Sequence, residues 1–296
     1  MTDPDTSSPP ASKVQALDAW MAADPWRPRV VPFFVWILAM FFGGFLVDLE
    51  PHLQPFWYAA QCGLTIWLLW RIRRLVPEMN LRFHWTVLPS AALLLWAWIA
   101  LGTVIGDTDF WIFGHGSSTG RHDIQKLGDT HAAWFWASMI LRFVGMAVLV
   151  PFFEELFIRS AMLRGLHRWG PTKTGLIQFA ADMPVIGDAV ANSAAGKKAL
   201  AEAPQFTKQL VETPLGPITV FSVFASTLVF AISHVPRDWA GCVACGVVWC
   251  LMVWWTNRES LPEDKRAGLG PVIWSHGLVN ALLWAYTLRW DDWRFL

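Results

Sequence analysis

The chain is poor in charge. Charged residues make up 16% of its 296 positions, against about 25% in an ordinary soluble domain. The charge that is present carries no bias, with 23 Lys and Arg against 23 Asp and Glu. That balance gives no electrostatic footprint for a nucleic acid or another large polyanion. Cysteine is scarce too. Cys62, Cys242, Cys245 and Cys250 all sit in apolar runs, which argues against a disulfide framework. The CVAC spacing of Cys242 and Cys245 has no second pair, so small buried thiols explain it better than a redox or metal site. Only 2 Tyr occur, whereas Trp is abundant at 21 residues.

What fills the chain is hydrocarbon, with 54% of the residues hydrophobic. A membrane-crossing helix needs about 20 mostly apolar residues. Seven runs approach that length, at about 30–48, 53–70, 84–105, 132–153, 218–235, 239–256 and 271–288. The expected fold is therefore all-α, a polytopic transmembrane helical bundle of about seven or eight transmembrane helices. Trp26, Trp70, Trp85, Trp239, Trp274 and Trp290 suit the water–lipid boundary. Residues 1–28 read as a polar N-terminal tail with no cleavable signal, containing a short amphipathic stretch around Val14–Ala23. Residues 29–131 hold N-terminal transmembrane helices and an outer loop at 106–131. Residues 132–296 form a helical core with a polar insertion at about 169–217, including a short helix near Ala195–Leu210. Most Lys and Arg fall in the segments that face inward if the N-terminus is cytoplasmic.

Ionisable groups inside apolar runs are costly, at about 2.5–3.5 kcal/mol on insertion scales, so they mark cavities or functional paths. The densest cluster is EELFIR, with Glu154, Glu155 and Arg159. Glu155 and Arg159 share a helix face at i, i+4 and can pair, while Glu154 points about 100° away. FAISH brings Phe230 and His234, and HGLVN brings His276 and Asn280 on one face. Each group lies near a proline (Pro151, Pro236 or Pro271). Irregular backbone at membrane depth is tolerated where it lines a buried or wet cavity. Together the three motifs point to one wet pocket within the membrane.

In this order the motifs resemble the EExxxR, FxxxH and HxxxN signatures of the CAAX-protease and bacteriocin-processing (CPBP, or Abi) family, over roughly residues 140–290. VVPFFVWILAM and LRWDDWRF also resemble the bacterial CAAX-protease-related proteins associated with exosortase systems. The insertion at 169–217 departs from the family's compact spacing. The resemblance implies an intramembrane endopeptidase in a bacterial inner membrane. Its substrate would be a membrane protein or a prenylated, lipid-anchored peptide cut near its C-terminus.

The chemistry of the residues agrees. Glu154 in an apolar pocket is a candidate general base, and His234 can hold the same water. His276 and Asn280 can donate to the oxyanion, and Arg159 locks Glu155. No cofactor is expected, although Glu154, His234 and His276 could form a zinc site with one open position. A serine mechanism through Ser233 or Ser275 is weaker, since neither sits in a nucleophile elbow. Two non-enzymatic readings remain: a binding or immunity protein on the same fold, whose function would survive Glu154→Ala, and a proton-coupled transporter, whose flux would survive Asn280→Ala.

Overall fold

The computed structural model describes residues 12–49, 53–102, 132–167, 169–182, 186–202 and 206–295, and among them every regular element is helical. The outer loop at 106–131 and the first eleven residues lie outside the described residues. Helix α1 spans Lys13–Ala22 and begins at a capping box, with Gln15 N donating to Ser12 Oγ and Ser12 N to Gln15 Oε1. Then come α2 (Arg27–Leu49), α3 (Gln54–Ile72), α4 (Val87–Leu101) and the 34-residue rod α5 (Ala132–Gly165). Four short helices occupy the insertion: α6 (Lys173–Ala181), α7 (Gly187–Asn192), α8 (Ala194–Glu202) and α9 (Phe206–Glu212). The helix expected near Ala195–Leu210 is thus two, α8 and α9, on either side of residues outside the description. Helices α10 (Val220–Ile232), α11 (Trp239–Thr256) and α12 (Gly270–Trp290) complete the bundle.

Each of the seven apolar runs corresponds to a helix. Three are long and apolar enough to cross a membrane: Arg27–Phe45, Ala132–Gly165 and Pro236–Thr256. Helices α4 and α10 are apolar but have only 15 and 13 residues, about 22 and 20 Å at 1.5 Å per residue. Helices α3 and α12 are longer but interrupted by Gln61 and by Ser275, His276 and Asn280. Among the described residues the chain is thus a helical membrane bundle, as expected, made of three long apolar rods plus shorter or more polar helices.

The surface matches that environment. Phe34, Leu38, Phe42, Trp96 and Phe224 point outward, and so large an apolar exterior fits lipid rather than water. Of the tryptophans expected at the boundary, Trp70, Trp85, Trp274 and Trp290 are exposed. Trp26 and Trp239 instead pack inward, Trp26 edge-on to Phe206 and Trp239 donating to the His234 carbonyl at 3.0 Å.

One end of the bundle is tied by a buried polar cluster. Arg29, at the start of α2, grips Glu78 with Nε at 2.6 Å and Nη2 at 3.0 Å. Ser160 of α5 also donates to Glu78, and Arg164 reaches it at 3.3 Å. Burial works against the Glu78 carboxylate, but the Arg29 charge and the hydrogen bonds from Arg29 and Ser160 win and hold its pKa below the ordinary value. The Glu78 carbonyl accepts from Leu269 N at 2.8 Å, which anchors the start of α12. Gly268 permits this approach. Its φ is +62°, and a Cβ there would lie 2.7 Å from the Glu78 carbonyl.

Candidate active site

Three anchored helices carry the motif residues to one depth. Helix α5 continues past Glu154 to Gly165, and His167, two residues beyond its end, accepts from Thr219, the cap of α10. Glu154 lies 13 residues before that contact and His234 lies 15 after it. On antiparallel helices both are about 20 Å from the polar end. His276 stands seven residues beyond Leu269, and Glu154 six before Ser160, both close to the Glu78 tie. Those separations are about 9–10 Å each. Short α10 is what makes the level agree, because it stops at Ile232 rather than running a full span.

Local backbone chemistry shapes α5 around the site. Two π-helical stretches, Val144–Leu149 and Leu156–Met162, flank the turn Val150–Glu155. Such insertions recur at functional sites. In the first, Val150 N–H donates to the Gly145 carbonyl. The same register would send residue 151 to the Met146 carbonyl, but Pro151 has no N–H. Asn280 of α12 supplies the missing donor, with Nδ2 to Met146 O at 2.8 Å. Helices α5 and α12 approach closely here, since a Cβ on Gly277 would lie 2.7 Å from the Ala147 carbonyl.

Glu154, Glu155, Arg159 and His276 form a contiguous buried group. The Arg159 guanidinium and Glu155 carboxylate, both fully buried, are 3.3 Å apart. Glu155 Oε1 lies 2.8 Å from His276 Nδ1. A carboxylate paired with a guanidinium only accepts, so Nδ1 carries the proton and Nε2 is turned the other way. It faces Glu154 Oε2 at 3.8 Å. That Glu154 oxygen is buried and accepts no hydrogen bond among the described residues. A buried polar atom left unmatched requires an explanation, and a 3.8 Å polar gap is the spacing that a bridging water closes.

Aromatic rings complete the walls. Arg159 lies over Phe230 at 4.8 Å and over Trp249 at 5.3 Å, which offsets part of the cost of burying a cation. Phe230 stands 4.7 Å from His234 and 6.2 Å from His276, so its ring contacts both imidazoles. His234 Nδ1 is 2.8 Å from the Phe230 carbonyl, which fixes Nε2 as the ring's acceptor.

The structure thus brings Glu154, Glu155, Arg159 and His276 together, sets His234 against Phe230, and commits one Asn280 N–H to a carbonyl of α5. Ser233 Oγ does reach His234 Nδ1 at 3.2 Å, but it lies 2.7 Å from the Phe230 carbonyl, to which it donates. Ser275 turns away from His276 to accept from Trp249 Nε1 at 3.0 Å and to meet Ser90 at 2.8 Å. Among the described residues no three His, Cys, Asp or Glu side chains gather as a metal-binding group. The sequence reading missed Trp249, one of many tryptophans in apolar runs, with nothing local to single it out. The four cysteines are free and buried.

An all-helical membrane bundle enclosing a carboxylate–imidazole–guanidinium site is the class that fold and site define. Residues 204–282 match the family described as type II CAAX prenyl endopeptidase Rce1-like, so in that region the chain is similar to the CAAX endopeptidases that its motifs resemble. The match covers His234, His276 and Asn280 and begins after the EELFIR turn on α5. No curated protein and no solved structure matches the chain.

Proposed function

We propose that the chain is an intramembrane endopeptidase in which Glu154 activates a water against a substrate carbonyl. The observation that carries this reading is the unmatched, buried Glu154 Oε2 facing His276 Nε2 at 3.8 Å. Water between them donates one O–H to Glu154 and the other to His276 Nε2, and His234 lines the pocket beside Phe230. Glu154 takes the proton as the oxygen adds to the carbonyl carbon. It then returns that proton to the leaving amine as the C–N bond breaks. The oxyanion accepts from the second N–H of Asn280. Glu155 and Arg159 hold the imidazole and do not touch substrate. The scheme uses no metal.

The substrate class follows from the family similarity and from one surface feature. An apolar groove of about 410 Å³ runs between α2 and the insertion, walled by Trp26, Val30, Phe34, Phe157, Phe179 and Phe206. Phe157 is three residues from Glu154. An isoprenoid or acyl anchor seated there would present a nearby peptide to the carboxylate. The expected setting is multi-pass, in a bacterial inner membrane. A tie to the exosortase-associated subgroup rests on VVPFFVWILAM and LRWDDWRF.

Mass spectrometry of membrane proteins from cells carrying wild-type protein or Glu154→Gln tests this. A C-terminal fragment should depend on the carboxylate while the variant inserts and melts like wild type. Persistence of every fragment in a folded Glu154→Gln protein would sink the hydrolase reading and favour a binding protein. Loss of cleavage in chelator, restored by zinc and not by buffer, would overturn the metal-free scheme.

A further inference from the structure

A cavity of about 510 Å³ lies between α1 and the last turn of α3, away from the Glu154 site. Its floor is apolar, made by Leu17, Met21, Leu68, Ile72 and Leu75. Its rim is cationic, with Arg71, Arg73 and Arg74 within four residues at the end of α3 and one acid, Asp18. Asp18 is taken by Arg71, whose Nε donates to Oδ1 at 2.9 Å. Arg73 and Arg74 are exposed and meet no carboxylate among the described residues. Arg73 lies 4.4 Å over the Trp70 ring and donates to the Trp70 carbonyl.

The depth of the mouth is marked independently. Trp70 and Trp20 are exposed at 53% and 43%, and each carries an arginine over its ring, with Arg27 4.7 Å above Trp20. Exposed Trp beside Arg is the side-chain pairing of the water–lipid boundary. The buried Arg29–Glu78 tie closes the same end of the bundle, where α2 begins and α3 ends.

We propose that this cavity binds the glycerophosphate end of an anionic phospholipid. The phosphate sits on Arg73 and Arg74, and the upper acyl carbons lie on the floor between α1 and α3. A free inorganic anion would leave the apolar floor unused. A zwitterionic lipid would bring its own cation against the arginine rim. The occupied site would hold α1 against the bundle from outside. This inference needs only the membrane setting, and it stands or falls separately from the chemistry at Glu154.

The test is lipid retention by the full-length protein in detergent micelles, read by native mass spectrometry during titration with phosphatidylglycerol or phosphatidylcholine. Arg73→Gln/Arg74→Gln removes the rim charge at exposed positions, so the fold should survive, with melting temperature as the check. Arg74→Gln alone is the fallback. Arg258→Gln, which removes an arginine lying over Trp255 elsewhere on the surface, is the matched control. Wild type and Arg258→Gln should each retain one phosphatidylglycerol. The double variant should retain it about thirtyfold more weakly, the loss expected for two arginines at a membrane surface. Equal retention by the double variant, or an equal loss in Arg258→Gln, overturns the proposal in favour of diffuse charge attraction. Equal retention of phosphatidylcholine, or displacement by inorganic phosphate at matched concentration, overturns the anionic-lipid assignment.

Discussion

The imidazole of His276 lies flat on the indole of Trp249, with ring centroids 4.4 Å apart and planes 25° apart. The other neighbours of that indole fix its pose. Its N–H is held by Ser275, the residue beside His276, and its ring also receives the Arg159 guanidinium. One side chain therefore sets both the tilt of the imidazole and the place of the cation that anchors Glu155.

Trp249→Phe should keep most of the stacking and lose the indole hydrogen bond, whereas Trp249→Leu loses both. A stacked aromatic pair contributes about 0.5–1.5 kcal/mol beyond its buried area. Cleavage should therefore fall roughly three- to tenfold further in Leu than in Phe, mainly in kcat. Equal activity of the two variants at equal melting temperature would show that the stack does not position His276.

Asn280→Ala should destabilise the protein by about 1–3 kcal/mol, because the Met146 carbonyl is left unmatched in the interior. Pro151→Ala restores an N–H at the position the π register points to. In the double variant the cost of losing Asn280 should shrink, with coupling of at least about 0.5 kcal/mol. A thermodynamic cycle by unfolding in micelles measures it, and strict additivity would refute the missing-donor account.

Gly277→Ala should lower stability by about 1–3 kcal/mol, since its methyl would press on the Ala147 carbonyl and separate α12 from α5. Activity should drop with it, because the same separation pulls His276 from Glu154. Thermal melts and cleavage assays on one preparation check both. A variant as stable and active as wild type would mean that the helix contact yields without strain.

Glu78→Gln should cost about 3–5 kcal/mol near neutral pH, as removal of one partner from a buried ion pair does. The folded pKa of Glu78 is lowered, so its contribution is present above the unfolded carboxylate pKa of about 4.3 and is lost as pH falls through the folded value. The gap in melting temperature between wild type and Glu78→Gln should therefore narrow progressively as pH falls below about 4.3. A gap that stays constant from pH 7 to pH 3 would show that Glu78 acts through packing rather than charge.

Much of the site was legible because its signal is local. A Glu, Arg or His within an apolar run is visible by its cost, and i, i+4 spacing already pairs Glu155 with Arg159. The depth of His234 was less legible. Full-length spans would set it a whole membrane away from Glu154, about 27 Å for an 18-residue helix. Helix α10 is short and α5 runs on past Glu154, which removes the conflict. Asn280 also reads differently in three dimensions, since half of its amide serves Met146 of another helix.

The sequence by itself determined that this chain is helical, that it belongs with lipid, and which few polar groups its apolar runs must shelter, because run length and the cost of a buried charge are properties of single segments. Only the tertiary structure decided which of those groups touch. The meeting of Glu154 with His276 depends on the Glu78 tie, on a proline-induced gap filled by Asn280 and on the close approach at Gly277. Each is a contact between residues distant in the chain, where helix register, and not helix propensity, sets the distance.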